Sequence, residues 1–296
     1  MLDKLELTTM QEIDTKIVRE LFPTYQLSYK PSNQYRKCIV ISRNGRQLIT
    51  VSTHPIWNNI SPTKIQTNPG SWQSSIEMNL HLSNLVDTSH LKITRLDHAV
   101  DIPMSLKLVH SCVRIKGKQS NQKYFDKSSE SYKRDTLTGF YLGALPEIYC
   151  IYDKGYELNK MKLKRNQESP LGDLTRIELR QTNKKIKYNN FLDLSSYVDD
   201  NPFSNLEFYM ISQESIKHSE LEELVTKSGF THAYFKLNKN NNFKRDHLKQ
   251  FNPINMQKTL NEIYQVNLRH FFNADETTKI IEKIHKQENH LEYNLQ

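Results

Sequence analysis

Hydrophobic and polar positions alternate with a period of two through much of the first two-thirds of the chain, the spacing of half-buried strands. Lys37–Thr53 (KCIVISRNGRQLITVST) has two β-branched runs flanking Asn44-Gly45, and that dipeptide suits a two-residue turn with positive φ at both centres. The pattern therefore predicts a hairpin there. Further strands are predicted at Ser75–Leu82, where Ile76, Met78, Leu80 and Leu82 alternate, at Ile93–Ile102, and at Leu106–Lys116. Three more follow at Phe140–Leu145, Glu147–Tyr152 and Leu174–Gln181.

Helical spacing is rarer at the start and dominant at the end. Residues 9–22 space their apolar positions for a helix, with Thr9 as N-cap, Glu12 completing a capping box and Pro23 as the stop. Beyond Pro202, residues 219–228, 255–272 and 274–293 carry helical periodicity. Residues 117–135 and 159–170 are polar and charged and read as loops, the second strongly basic. The expected fold class is α+β: an antiparallel, β-sheet-rich domain with flanking helices over residues 1–200, then a helical C-terminal region over 201–296, for DNA binding or oligomerisation.

Charge narrows the partners. Forty-one Lys and Arg against 33 Asp and Glu leave a formal charge of +8, which favours a polyanionic partner, most simply nucleic acid; the competing reading is a basic protein with no such partner. Cys38, Cys112 and Cys150 are too far apart for a Cys-x-x-Cys metal or redox pair. No stretch approaches the roughly 20 apolar residues that cross a bilayer, and the first residues do not read as a signal peptide, so a cytoplasmic protein without a membrane partner is expected.

Three strand segments carry polar residues that could do chemistry. In Ile93–Ile102 alternation puts Arg95, Asp97, Ala99 and Asp101 on one face. Carboxylates four residues apart on a strand are about 13 Å apart by rise alone, so at most one of Asp97 and Asp101 is expected in direct contact with a given cation. The competing reading is a solvent-facing strand edge. In Leu174–Gln181, Arg176, Glu178 and Arg180 share a face, either as an ion-pair ladder or as a cation-holding carboxylate between phosphate-binding arginines. In the third segment Ile148, Cys150, Tyr152 and Lys154 share a face, with Asp153 and Glu157 nearby. Most strand tyrosines are core residues. Tyr152 differs in having Lys154 two residues on, and a tyrosine nucleophile needs such help: at a pKa near 10 only about 0.1% is phenolate at neutral pH.

Taken in order, these segments resemble the replication initiation factors of the Rep-trans family. The family's acidic strand, F/I-T-R-L-D-x-A-x-D, is matched by Ile93-Thr94-Arg95-Leu96-Asp97-His98-Ala99-Val100-Asp101. Its Y-x-G segment and R-I-Y-N/D-K-x-x-E strand are similar to Tyr141-Leu142-Gly143 and Cys150-Ile151-Tyr152-Asp153-Lys154-Gly155-Tyr156-Glu157. Its W-R-x-E strand is similar to Thr175-Arg176-Ile177-Glu178-Leu179-Arg180. The chain departs from the pattern at Ala144-Leu145 in place of Ser-Arg, at Cys150 in place of arginine, and at Leu174-Thr175 in place of tryptophan.

The resemblance implies an initiator of rolling-circle plasmid or phage replication: a metal-dependent, site-specific DNA nickase and ligase. Tyr152 would attack the origin, leaving a 5′-phosphotyrosine and a free 3′-OH. Lys154 would assist it, and Mg²⁺ or Mn²⁺ would be held among Asp97, Glu178 and Asp101. Arg95, Arg176, Arg180, Lys162, Lys164 and Arg165 are the candidate DNA contacts. The implied partners are double-stranded origin DNA with a single-stranded or hairpin nick site, host helicase and polymerase, and a second copy of the chain. Two alternatives stand beside it: a mobile-element relaxase with the same active site, and a non-enzymatic origin-binding initiator. No two of the 11 histidines are two residues apart, which argues against the His-hydrophobic-His metal pair of other nicking enzymes.

Overall fold

The Asn44-Gly45 turn forms as its sequence demands. In the computed structural model, which describes residues 1–117, 122–125, 137–163, 172–212, 218–238 and 251–272, Asn44 and Gly45 take φ of 52° and 72°. They join β3 (Tyr35–Arg43) to β4 (Arg46–Pro55), antiparallel, with Ile39 opposite Val51 and Ile41 opposite Ile49. The chain divides into two compact units: unit 1 is 1–98, 182–200 and 263–296, and unit 2 is 99–181 and 201–262.

In unit 1 the strand order is β2-β3-β4-β5-β1-β6, with β1 at Leu2–Thr9, β2 at Gln26–Tyr29, β5 at Thr63–Thr67 and β6 starting at Lys92. Leu5, Leu7, Ile41, Ile49, Ile65 and Leu96 are fully buried, each contributing roughly 1.5–3 kcal/mol of transfer free energy. Helices α1 (Thr15–Leu21) and α2 (Ser75–Leu85) contact each other in the same unit.

In unit 2, β6 continues to Ile102 and the order is β6-β11-β10-β9-β8, with β8 at Gln122–Tyr124, β9 at Gly139–Ala144, β10 at Glu147–Asp153 and β11 at Thr175–Thr182. Helix α3 (Leu106–Cys112) packs on β10 and against α5 (His218–Ser228) and α6 (Phe230–Asn238). A small sheet of β13 (Phe251–Ile254), β12 (Leu206–Ile211) and β7 (Val113–Ile115) closes a second core around Leu221, Val225, Phe230 and Ala233. Helix α4 (Lys154–Leu163) follows β10 directly, and α7 (Met256–Phe272) ends the described chain.

The α+β class and the helical C-terminal part agree with the sequence pattern, with β12 and β13 as short strands inside that part. Four elements differ. Ser75–Leu82 is helical, not a strand: Met78, Leu82 and Leu85 are buried, while Ile76 and Leu80 are 72% and 59% exposed. The alternation there is accidental, and the stronger signal is the capping box Ser74-x-x-Glu77, in which Ser74 Oγ accepts from the Glu77 N–H at 3.2 Å. Leu106–Cys112 is likewise a helix, capped by Ser105, with only Val113–Ile115 extended.

The first helix begins at Thr15 with Asp14 as cap, because β1 pairs with β5 and β6 and so holds residues up to Thr9 in a strand. Residues 159–163 belong to α4 rather than to a basic loop. The helix expected at 274–293 lies outside the described residues, as do 164–170 and most of 117–135. Among the described residues, no helix is long and apolar enough to cross a membrane.

Candidate active site

Tyr152 stands near the end of β10, just before the chain switches from strand to helix. The switch is fixed by Asp153, whose Oδ1 accepts from the Tyr156 N–H at 2.7 Å, and by Leu174, whose carbonyl accepts from the N–H groups of Lys154 and Gly155. Strand partners share a face. Tyr152 lies opposite Arg176 on β11 and Gly139 on β9. Cys150 lies opposite Glu178 and Tyr141, and Ile148 opposite Arg180 and Gly143. On β8, Lys123 pairs with Tyr141. One sheet face of unit 2 therefore gathers Lys123, Tyr141, Tyr152, Arg176, Glu178 and Arg180. The other carries Phe140, Leu142, Tyr149, Ile151, Ile177 and Leu179, all buried.

The charges on the first face are held in pairs. Arg176 Nε and Nη2 donate to Asp101 Oδ1 and Oδ2 at 2.6 and 2.7 Å, the bidentate fork that suits guanidinium to carboxylate. Arg180 Nη2 donates to Glu178 Oε1 at 3.0 Å. Lys154 Nζ donates to Glu157 Oε2 at 2.7 Å and stands 5.9 Å from the centre of the Tyr152 ring. Arg176 and Glu178 are buried, whereas Tyr152, Lys154, Tyr141 and Arg180 keep part of their surface in solvent. Burial raises the pKa of Tyr141, with Cys150 and Glu178 adding and Arg180 opposing.

Asp97 and Arg95 belong to unit 1. Arg95 Nε donates to Asp97 Oδ1 at 2.8 Å and Nη2 donates to Oδ2, and Asp97 is only 1% exposed. Asp97 is thus no solvent-facing strand-edge residue. Asp101 is half-buried and engaged by Arg176. Lys162 falls in α4, and Lys164 and Arg165 lie outside the described residues.

Carboxylate oxygens are the hard donors that Mg²⁺ and Mn²⁺ prefer, so Asp97, Asp101 and Glu178 are chemically apt ligands. Among the described residues no group of three or more His, Cys, Asp or Glu gathers into a cluster.

Phe125 is not singled out by the sequence pattern, because it falls in the polar stretch 117–135. Its ring lies 4.6 Å from that of Tyr141 and 6.1 Å from that of Tyr152, centre to centre. The available signal was the aromatic pair Tyr124-Phe125 amid polar neighbours.

No family model matches the chain, and no curated protein does. Among solved structures, a rolling circle replication initiator protein from Geobacillus stearothermophilus overlays with a TM-score of 0.39 at 11% identity, over 74% of this chain and 89% of that one.

Proposed function

We propose that this chain is a DNA nickase of the rolling-circle initiator type, with Tyr152 as nucleophile. The observation that carries the proposal is the setting of the phenol. Tyr152 is partly solvent-accessible, sits directly across the strand pair from Arg176, and has the Lys154 ammonium 5.9 Å from its ring. A tyrosine nucleophile needs a neighbouring group to assist its attack, and Lys154 is the side chain in place for that role. The ordered resemblance of three strand motifs to replication initiation factors supports the same assignment.

In the proposed reaction the Tyr152 oxygen forms a bond to the scissile phosphorus, its proton passing to solvent. The bond from phosphorus to the 3′ oxygen breaks, and that oxygen takes up a proton to become a 3′-OH that a polymerase can extend. Arg176 and Arg180 would hold phosphate oxygens. Both now grip carboxylates, so DNA binding would exchange one anionic partner for another. Mg²⁺ or Mn²⁺ would supply charge neutralisation at the phosphate, and within unit 2 the carboxylates that could hold it are Asp101 and Glu178. Origin DNA with an unpaired or hairpin nick site, host replication proteins and a second copy of the chain are the partners this function calls for.

The test is covalent chemistry. Supercoiled DNA bearing the cognate origin, incubated with the protein and Mg²⁺ or Mn²⁺, should yield a nicked circle and an SDS-resistant, protease-sensitive adduct. Tyr152→Phe should lose the adduct while keeping DNA affinity within about threefold, because one hydroxyl is a small part of a phosphate-dominated interface. An adduct that persists in the variant, or maps to another residue, removes Tyr152 from the scheme.

A further inference from the structure

We infer that Phe125 and Tyr141, beside Tyr152, form a stacking platform for unpaired bases of single-stranded DNA; this deepens the proposed function and rests on that assignment of the face. Three observations carry it. Phe125 is 39% exposed although it is an aromatic side chain on a paired sheet face, and it meets Tyr141 at 4.6 Å between ring centres with a 39° tilt. Its ring lies on bare backbone at Gly139: a Cβ there would stand 2.6 Å from the Phe125 ring and 2.8 Å from Tyr152 Cβ. Any other residue at 139 would push the ring away from the tyrosine. The same face also carries Lys123, Arg176 and Arg180, and Lys154 lies beside Tyr152.

An exposed ring beside two partly exposed ones, with Lys123, Lys154 and Arg180 around them, suits a single strand. Its bases offer π-faces whatever their identity, and its phosphates run past the cations. A duplex hides those π-faces. The platform is also anchored from beneath. On the opposite face of β8, the Gln122 amide nitrogen and the Tyr124 hydroxyl stand 2.8 and 3.2 Å from Nε2 of the buried His110, whose ring packs on Phe140. That fastening fixes the strand from which Phe125 projects.

Binding of fluorescently labelled single-stranded and duplex oligonucleotides is measured by anisotropy in a Tyr152→Phe background, where no adduct can form and the third ring is kept. The single strand should bind more tightly than the duplex. Phe125→Ala and Tyr141→Ala should each weaken the single-strand complex about tenfold and leave the duplex complex nearly unchanged, as loss of one base stack implies. Phe125→Trp should restore binding.

Unchanged single-strand affinity in both alanine variants overturns the inference, and so does an equal loss for single strand and duplex, which marks a fold or charge effect. The two proposals fail separately. Ring-dependent single-strand binding in a chain whose Tyr152 forms no adduct leaves the platform standing and removes the nickase. Adduct formation that is indifferent to Phe125 and Tyr141 does the reverse.

Discussion

The two units use the same pair of residue types, arginine and a carboxylate on β-strands, to different ends. In unit 1, Arg95 and Asp97 close on each other two residues apart, and the acid is almost wholly buried. In unit 2, the Arg180–Glu178 pair has the same spacing and the Arg176–Asp101 pair joins two strands, but both border a half-exposed row of aromatic rings. The buried histidines differ in the same way. In unit 1, His98 meets the Tyr264 hydroxyl at 2.7 Å inside the core, whereas in unit 2 His110 fastens the strand that leads into the exposed Phe125. The same pairing of side chains thus ends up in a core or beside half-exposed rings according to what the next strand places beside it.

The sharpest way to break the contrast is Asp97→Ala. Removing a buried carboxylate from its guanidinium should cost about 3–5 kcal/mol, read as a lower urea midpoint. A loss under about 1 kcal/mol would show that the unit 1 pair is not structural.

Acid acts next, through unit 2. Burial pushes the pKa of His110 down to about 4 from the usual 6.5, so the folded state holds it neutral while the unfolded state takes up a proton. Between those values the unfolded chain binds more protons, and stability must fall as pH drops from about 6.5 to about 4, by on the order of 3 kcal/mol in total. His110→Gln should flatten that part of the pH–stability profile. If the slope is undiminished in the variant, the proton goes elsewhere.

The smallest effect belongs to Glu157, which is exposed and bonded to Lys154. Glu157→Ala should leave stability within about 0.5 kcal/mol, as exposed pairs do, in contrast to Asp97. A drop beyond 1 kcal/mol would place the Lys154 pair among the structural ones.

Local signals were legible where one short stretch decides the outcome. Asn44-Gly45 forced its hairpin, and Ile93–Ile102 and Thr175–Arg180 alternate because one face of each strand is apolar. The same period misled at Ser75–Leu82, where four alternating apolar residues sit on a helix that buries only Met78 and Leu82 of them, with Leu85 one turn further on. Period two over so short a run is compatible with either element, and the cap at Ser74 decided it.

By itself the sequence determined the α+β class, the main hairpin, the strands bearing Asp97, Asp101, Tyr152 and Glu178, and the net positive charge, because each follows from neighbours within a few residues. The tertiary structure alone decided pairing and exposure. Register set Tyr152 across from Arg176, the side-chain fork tied Arg176 to Asp101 across 75 positions of sequence, and a bare glycine let Phe125 lie beside two tyrosines. Those are contacts between segments far apart in the chain, and no local pattern encodes which strand becomes the neighbour of which.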